Sequence, residues 1–171
     1  MKQKCSALGI KLTPRFLVIS IERQLLMFYE NSELRKSYLV STSSRPPSNV
    51  RDSLGTPRGL HTVADKIGAG TPPGIVFKNR TCTGRHFNEF TDEENAGNLI
   101  TTRILWLRGL EPGGNAGGQV DTYERYIYIH GTNHEERLGL PASAGCVLMR
   151  NLDVIELFDQ ARVGDLVWIE D

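Results

Sequence analysis

A cysteine and a histidine near the C-terminus have the surroundings expected of a nucleophile and its base. His130 ends an alternating run that starts at Tyr126 and is followed by Gly131, whereas Cys146 follows the small-residue turn 143–145. A thiol attacks a carbonyl efficiently when a base takes its proton and backbone N–H groups face the carbonyl oxygen. The pattern therefore predicts Cys146 as the nucleophile and His130 as the base, which later returns the proton to a leaving amine.

Each of these residues also has a simpler interpretation. Free cysteines are commonly buried and inert, and a lone histidine usually has a purely structural role. The glycines beside both residues favour the catalytic interpretation, because they allow the backbone to approach a substrate closely. A helical pattern also follows Cys146 in the sequence, and we expect its positive end to lie nearby and to favour the thiolate.

Composition argues against several other classes of protein. The 171 residues carry no net charge, so the basic surface typical of nucleic-acid binding is not expected. Three widely spaced cysteines, Cys5, Cys82 and Cys146, indicate neither a disulfide framework nor a structural zinc site. His134 lies one helical turn beyond His130, but the Gly-Thr-Asn sequence between them is typical of a loop, so no metal site is predicted there.

No apolar stretch is long enough to predict a membrane span. The first 14 residues lack the continuous apolar segment of a secretory signal peptide. For the sequence as it stands we expect a cytoplasmic location. A periplasmic or cell-envelope location would need a leader upstream.

The pattern along the chain predicts a fold that is mainly β with one clear helix. Alternating or β-branched runs predict strands at 16–21, 24–29, 34–41, 60–64, 75–77, 99–107, 126–130 and 166–169, and an apolar stripe predicts a helix at 151–162. We expect residues 1–14 to form an N-terminal extension and residues 15–171 to form one catalytic domain. The glycine-rich loop 111–118 is expected to gate the site.

Several segments of the sequence resemble those of a known family. The block from His130 to Asn133, followed by Leu138 to Cys146, resembles the signature of the L,D-transpeptidase (YkuD-type) family, a His-Gly-Thr-Asn start and a Ser-x-Gly-Cys end. The segment Gly55-Thr56-Pro57-Arg58-Gly59 is similar to the family's Thr-Pro-x-Gly segment. The resemblance extends over residues 15 to 170, which is nearly the whole chain.

The resemblance implies a β-sandwich catalytic domain that acts on peptidoglycan stem peptides or muropeptides. The cysteine would attack the carbonyl of the third stem residue, a diamino acid, and expel D-alanine. An amine on another stem would then resolve the thioester. No metal or organic cofactor is implied, and a β-lactam of the carbapenem type is an expected inhibitor.

The resemblance also implies roles for particular residues. The expected catalytic residues are Cys146, His130, Gly131 (whose carbonyl orients the imidazole), Ser143 (which supports the histidine or the turn) and Gly145 (whose N–H contributes to an oxyanion hole). The expected substrate-binding residues are Tyr128, Thr132, Asn133, Ala144 and Arg150.

Two positions depart from the family pattern, and two other functions remain open. Ala144 stands where the family often has histidine, and Leu148 stands where it commonly has arginine. Arg150 would replace that arginine only if the backbone directs it to the same place. The first alternative function is an L,D-carboxypeptidase of muropeptide recycling, in which water is the acceptor. The second is a non-catalytic peptidoglycan-binding module that retains the fold.

Overall fold

The computed structural model describes all residues from Met1 to Asp171. Its first three strands form an antiparallel meander, β1 (Arg15–Ser20), β2 (Leu25–Glu30) and β3 (Glu33–Ser41). Leu17 and Ile19 on β1 are fully buried, as the alternation along a one-sided strand predicts. Asn31 and Ser32 both have positive φ, which fits the tight two-residue turn between β2 and β3.

Seven further strands and three helices complete the fold. The strands are β4 (Gly59–Ile67), β5 (Ile75–Lys78), β6 (Thr81–His86), β7 (Ile100–Gly109), β8 (Tyr128–Gly131), β9 (Val147–Met149) and β10 (Leu166–Glu170). The helices are α1 (Lys2–Ala7), α2 (Asp92–Asn95) and α3 (Asn151–Gln160). The prediction of a mainly β fold with one clear helix is confirmed, since α1 and α2 are short.

The strands form one sheet that folds over on itself. Their order is β4-β10-β1-β2-β3-β9-β8-β7-β5-β6, and β4 pairs with β7 as well as with β10. This additional pairing brings the two halves of the sheet face to face in a sandwich-type arrangement. The inner faces enclose a core cluster of 19 buried residues. α3 covers one side of this core, and its Val154 and Leu157 are fully buried.

Two parallel neighbouring strands bring the histidine and the cysteine together. β8 pairs with β9 in parallel, with Ile129 opposite Val147 and His130 opposite Leu148. The side chains of alternate residues share a face of the sheet, so Tyr128 and His130 lie on the face that also carries Leu148. Cys146 directly precedes β9, next to Tyr128. Strand pairing therefore brings together residues that the sequence keeps apart.

The structure corrects several sequence-based predictions around this frame. The predicted strand 126–130 begins only at Tyr128, and Tyr126 has a φ of 56° outside the strand. The predicted helix ends at Gln160 rather than at 162. The strands β6 and β9 and the helices α1 and α2 were not predicted. Within the predicted N-terminal extension, Cys5 of α1 is buried against Leu60 and Leu166.

No helix of this structure combines the length and the apolar character that crossing a membrane requires.

Candidate functional site

The turn that presents Cys146 is fixed by its own hydrogen bonds. The Ser143 hydroxyl donates to the Cys146 carbonyl at 2.5 Å and accepts from the Gly145 N–H at 3.2 Å. Gly145 has a φ of +122°, and a Cβ at this position would lie 3.1 Å from the Ile127 Cδ1. The positive φ favours glycine here, and a larger residue would also be in tight contact with Ile127. Ser143 supports the turn, and it makes no hydrogen bond to His130.

The Gly145 N–H, which is expected to stabilise an oxyanion, is not free to do so in this structure. That N–H is already engaged by the Ser143 hydroxyl. Oxyanion stabilisation depends on donors that are aimed at the developing charge before the reaction occurs. The Gly145 N–H would have to exchange the serine oxygen for the substrate oxygen, so its role stays a prediction.

The sulfur of Cys146 makes hydrogen bonds to backbone groups only. The Tyr128 N–H donates to Sγ at 3.3 Å, and the thiol donates to the Tyr126 carbonyl at 3.5 Å. Burial of the sulfur raises the pKa of the Cys146 thiol to about 11, although the Tyr128 N–H and the positive charge of Arg125 act in the opposite direction. At neutral pH the Cys146 thiol is therefore protonated.

The expectation that a helix end favours the thiolate is wrong. Cys146 leads directly into the strand β9, and α3 begins only at Asn151. The dipole effect of a helix fades beyond its first turn, so it supplies no local stabilisation at the sulfur. The three apolar residues after Cys146 form β9, which pairs with β8 and with β3. The helical periodicity in the sequence belongs to the residues from Asn151 onward, and it gives no indication of this strand.

His130 is held in one orientation and one tautomer. Its Nδ1 lies 2.7 Å from the Gly131 carbonyl oxygen. A carbonyl only accepts hydrogen bonds, so Nδ1 carries the proton, and Nε2 of the neutral ring is left with a free lone pair. Only 2% of the residue surface is exposed, and this burial lowers the pKa of His130 to about 4. The ring is therefore neutral and available as a base over most of the pH range.

A buried network that the sequence did not reveal holds the Gly131 backbone. The Asn151 side chain donates to the Thr132 carbonyl at 2.9 Å and to Glu135 at 2.7 Å, and its oxygen accepts from the Thr101 hydroxyl at 2.6 Å. A Cβ on Gly131 would lie 2.7 Å from that same Asn151 oxygen. Asn151 thus fixes the segment that orients His130, in addition to beginning α3.

Two cavities meet at Cys146. The first, of about 260 Å³, is lined by Asn98, Ile100, His130, Ser143, Ala144, Cys146 and Leu148. The second, of about 370 Å³, is lined by Asn79, Arg80, Ile100, Tyr126, Tyr128 and Cys146. Cys146 and its predicted base His130 therefore line one cavity together, and Cys146 also lines the other. Of the expected substrate-binding residues, Tyr128 lines the second cavity and Ala144 lines the first.

Three other expected substrate-binding residues line neither cavity. Thr132 is fully buried, and its hydroxyl accepts from the His134 N–H. The Asn133 side chain donates to the Asn95 carbonyl and accepts from the Leu99 N–H. Arg150 faces Glu135, with 3.6 Å between its Nε and the carboxylate. Arg150 therefore does not supply a positive charge near Leu148.

The glycine-rich loop 111–118 also lies away from the sulfur and contributes no residue to either cavity. Its Asn115 is fully buried and donates to the Leu60 carbonyl at 3.1 Å. Glu111 accepts from the Leu60 N–H at 2.7 Å and pairs with Lys4 at 2.8 Å. These contacts anchor the loop to β4 and α1, so the expectation that it gates the site finds no support in the contacts.

Sequence reasoning did not single out Arg80, which lines the second cavity. It lies in the polar segment 78–98, where periodicity is weak. The available signal was Asn79-Arg80 between two short strand-forming runs, which is compatible with a two-residue hairpin turn.

We predict that alkylation of Cys146 by iodoacetamide accelerates steadily with pH. Only the thiolate reacts, and with a pKa of about 11 its fraction rises about tenfold per pH unit up to that value. The rate between pH 7 and pH 9 is therefore expected to rise about a hundredfold. Peptide mapping by mass spectrometry measures modification at Cys146 separately from the exposed Cys82. A rate that is flat above pH 6 would reveal a preformed thiolate and contradict the prediction.

The arrangement offers no metal centre, since no three His, Cys, Asp or Glu side chains come together in a way that would hold an ion. The site contains a thiol and a neutral imidazole with a free Nε2, and both residues line one cavity that is open to solvent. These groups are suited to acyl transfer through a covalent thioester.

Comparison with known proteins identifies a matching protein family and similar solved structures. The sequence model of the L,D-transpeptidase catalytic domain, YkuD, matches residues 14–169. Over 47 residues the chain is 49% identical to a putative L,D-transpeptidase, YqjB, of Bacillus subtilis, a match covering 28% of this chain and 27% of that protein.

Solved structures show the same architecture. L,D-transpeptidase 3 from Mycobacterium tuberculosis, in complex with a faropenem-derived adduct, has a TM-score of 0.57 at 14% identity, over 92% of this chain and 60% of that one. The L,D-transpeptidase LdtMt1, in complex with imipenem, has a TM-score of 0.56 at 18% identity, over 92% of this chain and 59% of that one. The chain thus spans about three fifths of these solved chains and about a quarter of the Bacillus relative.

Proposed function

Because the chain belongs to the L,D-transpeptidase (YkuD) catalytic-domain family, we propose that it is a cysteine-dependent acyltransferase acting on peptidoglycan stem peptides. Cys146 forms a thioester with the carbonyl of the third stem residue and releases D-alanine. An amine of a second stem then takes the acyl group, which makes the protein an L,D-transpeptidase.

One observation carries this proposal. Cys146 and His130 line the same cavity, and the Gly131 carbonyl holds the ring so that Nε2 has its lone pair free. The Sγ of Cys146 bonds to backbone groups at 126 and 128 rather than to the imidazole. Rotation of the thiol away from the Tyr126 carbonyl, toward the cavity with His130, is therefore the first step.

Acylation then follows from the protonation states of the two residues. As Sγ attacks the carbonyl carbon, its proton moves to Nε2 of His130, and the carbonyl oxygen becomes an oxyanion. Backbone N–H groups of the 143–146 turn stabilise this charge. The C–N bond to D-alanine breaks, and Nε2–H protonates the departing amine, leaving a thioester and a neutral imidazole.

Deacylation repeats the same proton transfers with a different nucleophile. His130 takes a proton from the acceptor amine, which attacks the thioester carbonyl, and the proton returns to the sulfur as the C–S bond breaks. If water attacks instead, the products are a tripeptide and free enzyme, and the protein is an L,D-carboxypeptidase. The identity of the acceptor is the only difference between these two reactions.

Product analysis tests the proposal and separates the two reactions. The protein is mixed with disaccharide-tetrapeptide, and the products are identified by mass spectrometry. We expect crosslinked dimer together with released D-alanine. Tripeptide as the sole product would establish the carboxypeptidase instead. Binding of the tetrapeptide without any product would contradict both and favour a non-catalytic binding module.

We also predict that a carbapenem acylates Cys146. The solved complexes with imipenem and with a faropenem-derived adduct are similar to this chain in fold. Opening of the strained lactam ring by Sγ follows the same course as the first step on the substrate. Intact-mass spectrometry should show one added drug mass per chain, and this adduct should be absent from Cys146→Ala. A wild-type protein that stays unmodified after long incubation would contradict the prediction.

A further inference from the structure

Arg80 occupies an unusual backbone position beside the nucleophile. It is the second residue of the two-residue turn that joins β5 to β6, and Asn79 and Arg80 have φ values of 50° and 66°. This conformation is sterically unfavourable for a residue with a long side chain, and glycine is preferred there. The turn places Arg80 at the wall of the cavity of about 370 Å³ that also contains Cys146.

A group of aromatic rings contacts the Arg80 side chain. Its guanidinium carbon lies 4.9 Å from the centre of the Trp106 ring and 5.1 Å from that of Tyr126. One guanidinium nitrogen donates to the Tyr128 hydroxyl at 3.3 Å. Trp106 in turn stacks on Tyr123, with 3.9 Å between the ring centres. Stacking on aromatic faces pre-organises a guanidinium without neutralising it.

The positive charge of Arg80 has no acidic partner. Five other arginines each pair with a carboxylate, namely Arg15, Arg35, Arg58, Arg137 and Arg150. For Arg80 the structure has no ion pair, and a guanidinium has five N–H donors, of which one is used by Tyr128. The other cavity at Cys146 contains no arginine or lysine. Arg80, with donors left unused, therefore lines the same cavity as Cys146.

The geometry points to Arg80 as the residue that binds a free carboxylate of the donor stem peptide while Cys146 attacks the neighbouring carbonyl. The planar fork of a guanidinium matches a carboxylate in a two-point hydrogen bond. Arg80 is thus a specificity-determining residue that selects donors by their charge. This inference rests on the proposed function, since it assigns a subsite to that reaction.

Two carboxylates of a tetrapeptide donor lie within a few bonds of the scissile carbonyl. One is on the side chain of the third residue, where that residue is a diamino diacid. The other is the C-terminal carboxylate of D-alanine. Synthetic tetrapeptides with either carboxylate converted to the carboxamide distinguish these two sources.

The test compares Arg80→Gln and Arg80→Lys with the control Arg85→Gln. Arg85 lies on the same hairpin and stacks on Phe90, but it lines neither cavity at Cys146. Turnover gives kcat and KM for each donor. Calorimetric binding of the same tetrapeptides to proteins that also carry Cys146→Ala gives affinities that do not depend on turnover. Thermal unfolding checks that each variant folds.

We expect Arg80→Gln to raise KM and the dissociation constant of the full tetrapeptide by about tenfold to a hundredfold. For the donor in which a carboxamide replaces the bound carboxylate, Arg80→Gln and wild type should have equal KM values and equal dissociation constants. Arg80→Lys should recover part of the loss, because lysine keeps the charge without the fork. Arg85→Gln should behave as wild type.

Two results would overturn the inference while leaving the proposed function intact. The first is that Arg80→Gln discriminates between carboxylate and carboxamide donors as strongly as wild type does. The other is an equal loss for all donors, which indicates a packing role. Conversely, Arg80-dependent binding of the carboxylate without turnover by wild type would reject the proposed function and keep the subsite.

Discussion

Replacement of Cys146 by alanine is expected to reduce turnover of a tetrapeptide donor by at least about 10⁴-fold. The thioester cannot form without the sulfur, and no other thiol replaces it. Cys5 is a buried residue of α1, and Cys82 lies on β6, where it lines neither cavity at Cys146. Alanine removes only one atom from a half-buried residue, so we expect the free energy of unfolding to change little.

The matched control is Cys82→Ser, which removes an exposed thiol from the same chain. We expect this variant to retain wild-type kcat and KM. The turnover of both variants is measured as the rate of D-alanine release, which a coupled oxidase assay monitors. Wild-type turnover by Cys146→Ala would show that another group attacks the substrate, and the acyl-enzyme mechanism would have to be abandoned.

Replacement of His130 by glutamine is expected to reduce kcat by about 10²- to 10⁴-fold, the usual range for a general base. The thiol has a pKa of about 11, so without a base very little thiolate is present at neutral pH. We expect the residual rate of His130→Gln to rise with pH as the thiolate forms. In wild type, kcat/KM should fall only as the pH approaches 4, where His130 itself becomes protonated.

His61 provides a closely matched control for this variant. It is fully buried, and burial lowers its pKa to about 4, as for His130. Its ring contacts the Gly59 carbonyl and the Thr122 hydroxyl, and it lines neither cavity at Cys146. His61→Gln should therefore lower the melting temperature while leaving kcat unchanged. Equal losses of kcat in both variants would mean that His130 acts only through stability.

Much of the site follows from local sequence patterns. The alternation of Tyr128, Ile129 and His130 predicts a strand whose end presents a histidine, and this strand is present as β8. The Ser143–Gly145 turn predicts a tight bend before Cys146, and Gly145 has the positive φ that only glycine adopts easily. The family suggested by these motifs is confirmed by the match over residues 14–169.

The pairing of distant segments accounts for what the sequence did not predict. Val147–Met149 is too short to show a strand period, and its strand state depends on hydrogen bonds to β8 and β3. The role of Asn151 at the Gly131 backbone depends on Thr101, which is far away in the chain. Neither local propensity nor spacing carries such long-range information.

Arg80 escaped prediction for the same reason. Its turn residues indicate at most a hairpin, and its importance depends on Trp106 and Tyr128, which belong to two other strands. Arg150 shows the opposite case, because its nearness to Cys146 in sequence suggested a role at the site. Strand β9 separates Arg150 from Cys146, and Arg150 pairs with Glu135 instead of lining either cavity.

The resting state described by the structure has a consequence for catalysis. A thiol with a raised pKa beside an imidazole with a lowered pKa does not form a stable ion pair. In the proposed mechanism, proton transfer therefore accompanies attack on the substrate rather than preceding it. The protein is then expected to react slowly with simple alkylating agents at neutral pH, while a well-positioned donor is expected to acylate it rapidly.

The most direct measurement is to trap the acyl-enzyme. Wild-type protein is mixed with disaccharide-tetrapeptide, quenched in acid within seconds, and digested for peptide mapping by mass spectrometry. We predict a disaccharide-tripeptide acyl group on Cys146 and none on Cys5 or Cys82. Release of D-alanine during the same seconds, with Cys146 unmodified in both wild type and His130→Gln, would contradict the thioester mechanism.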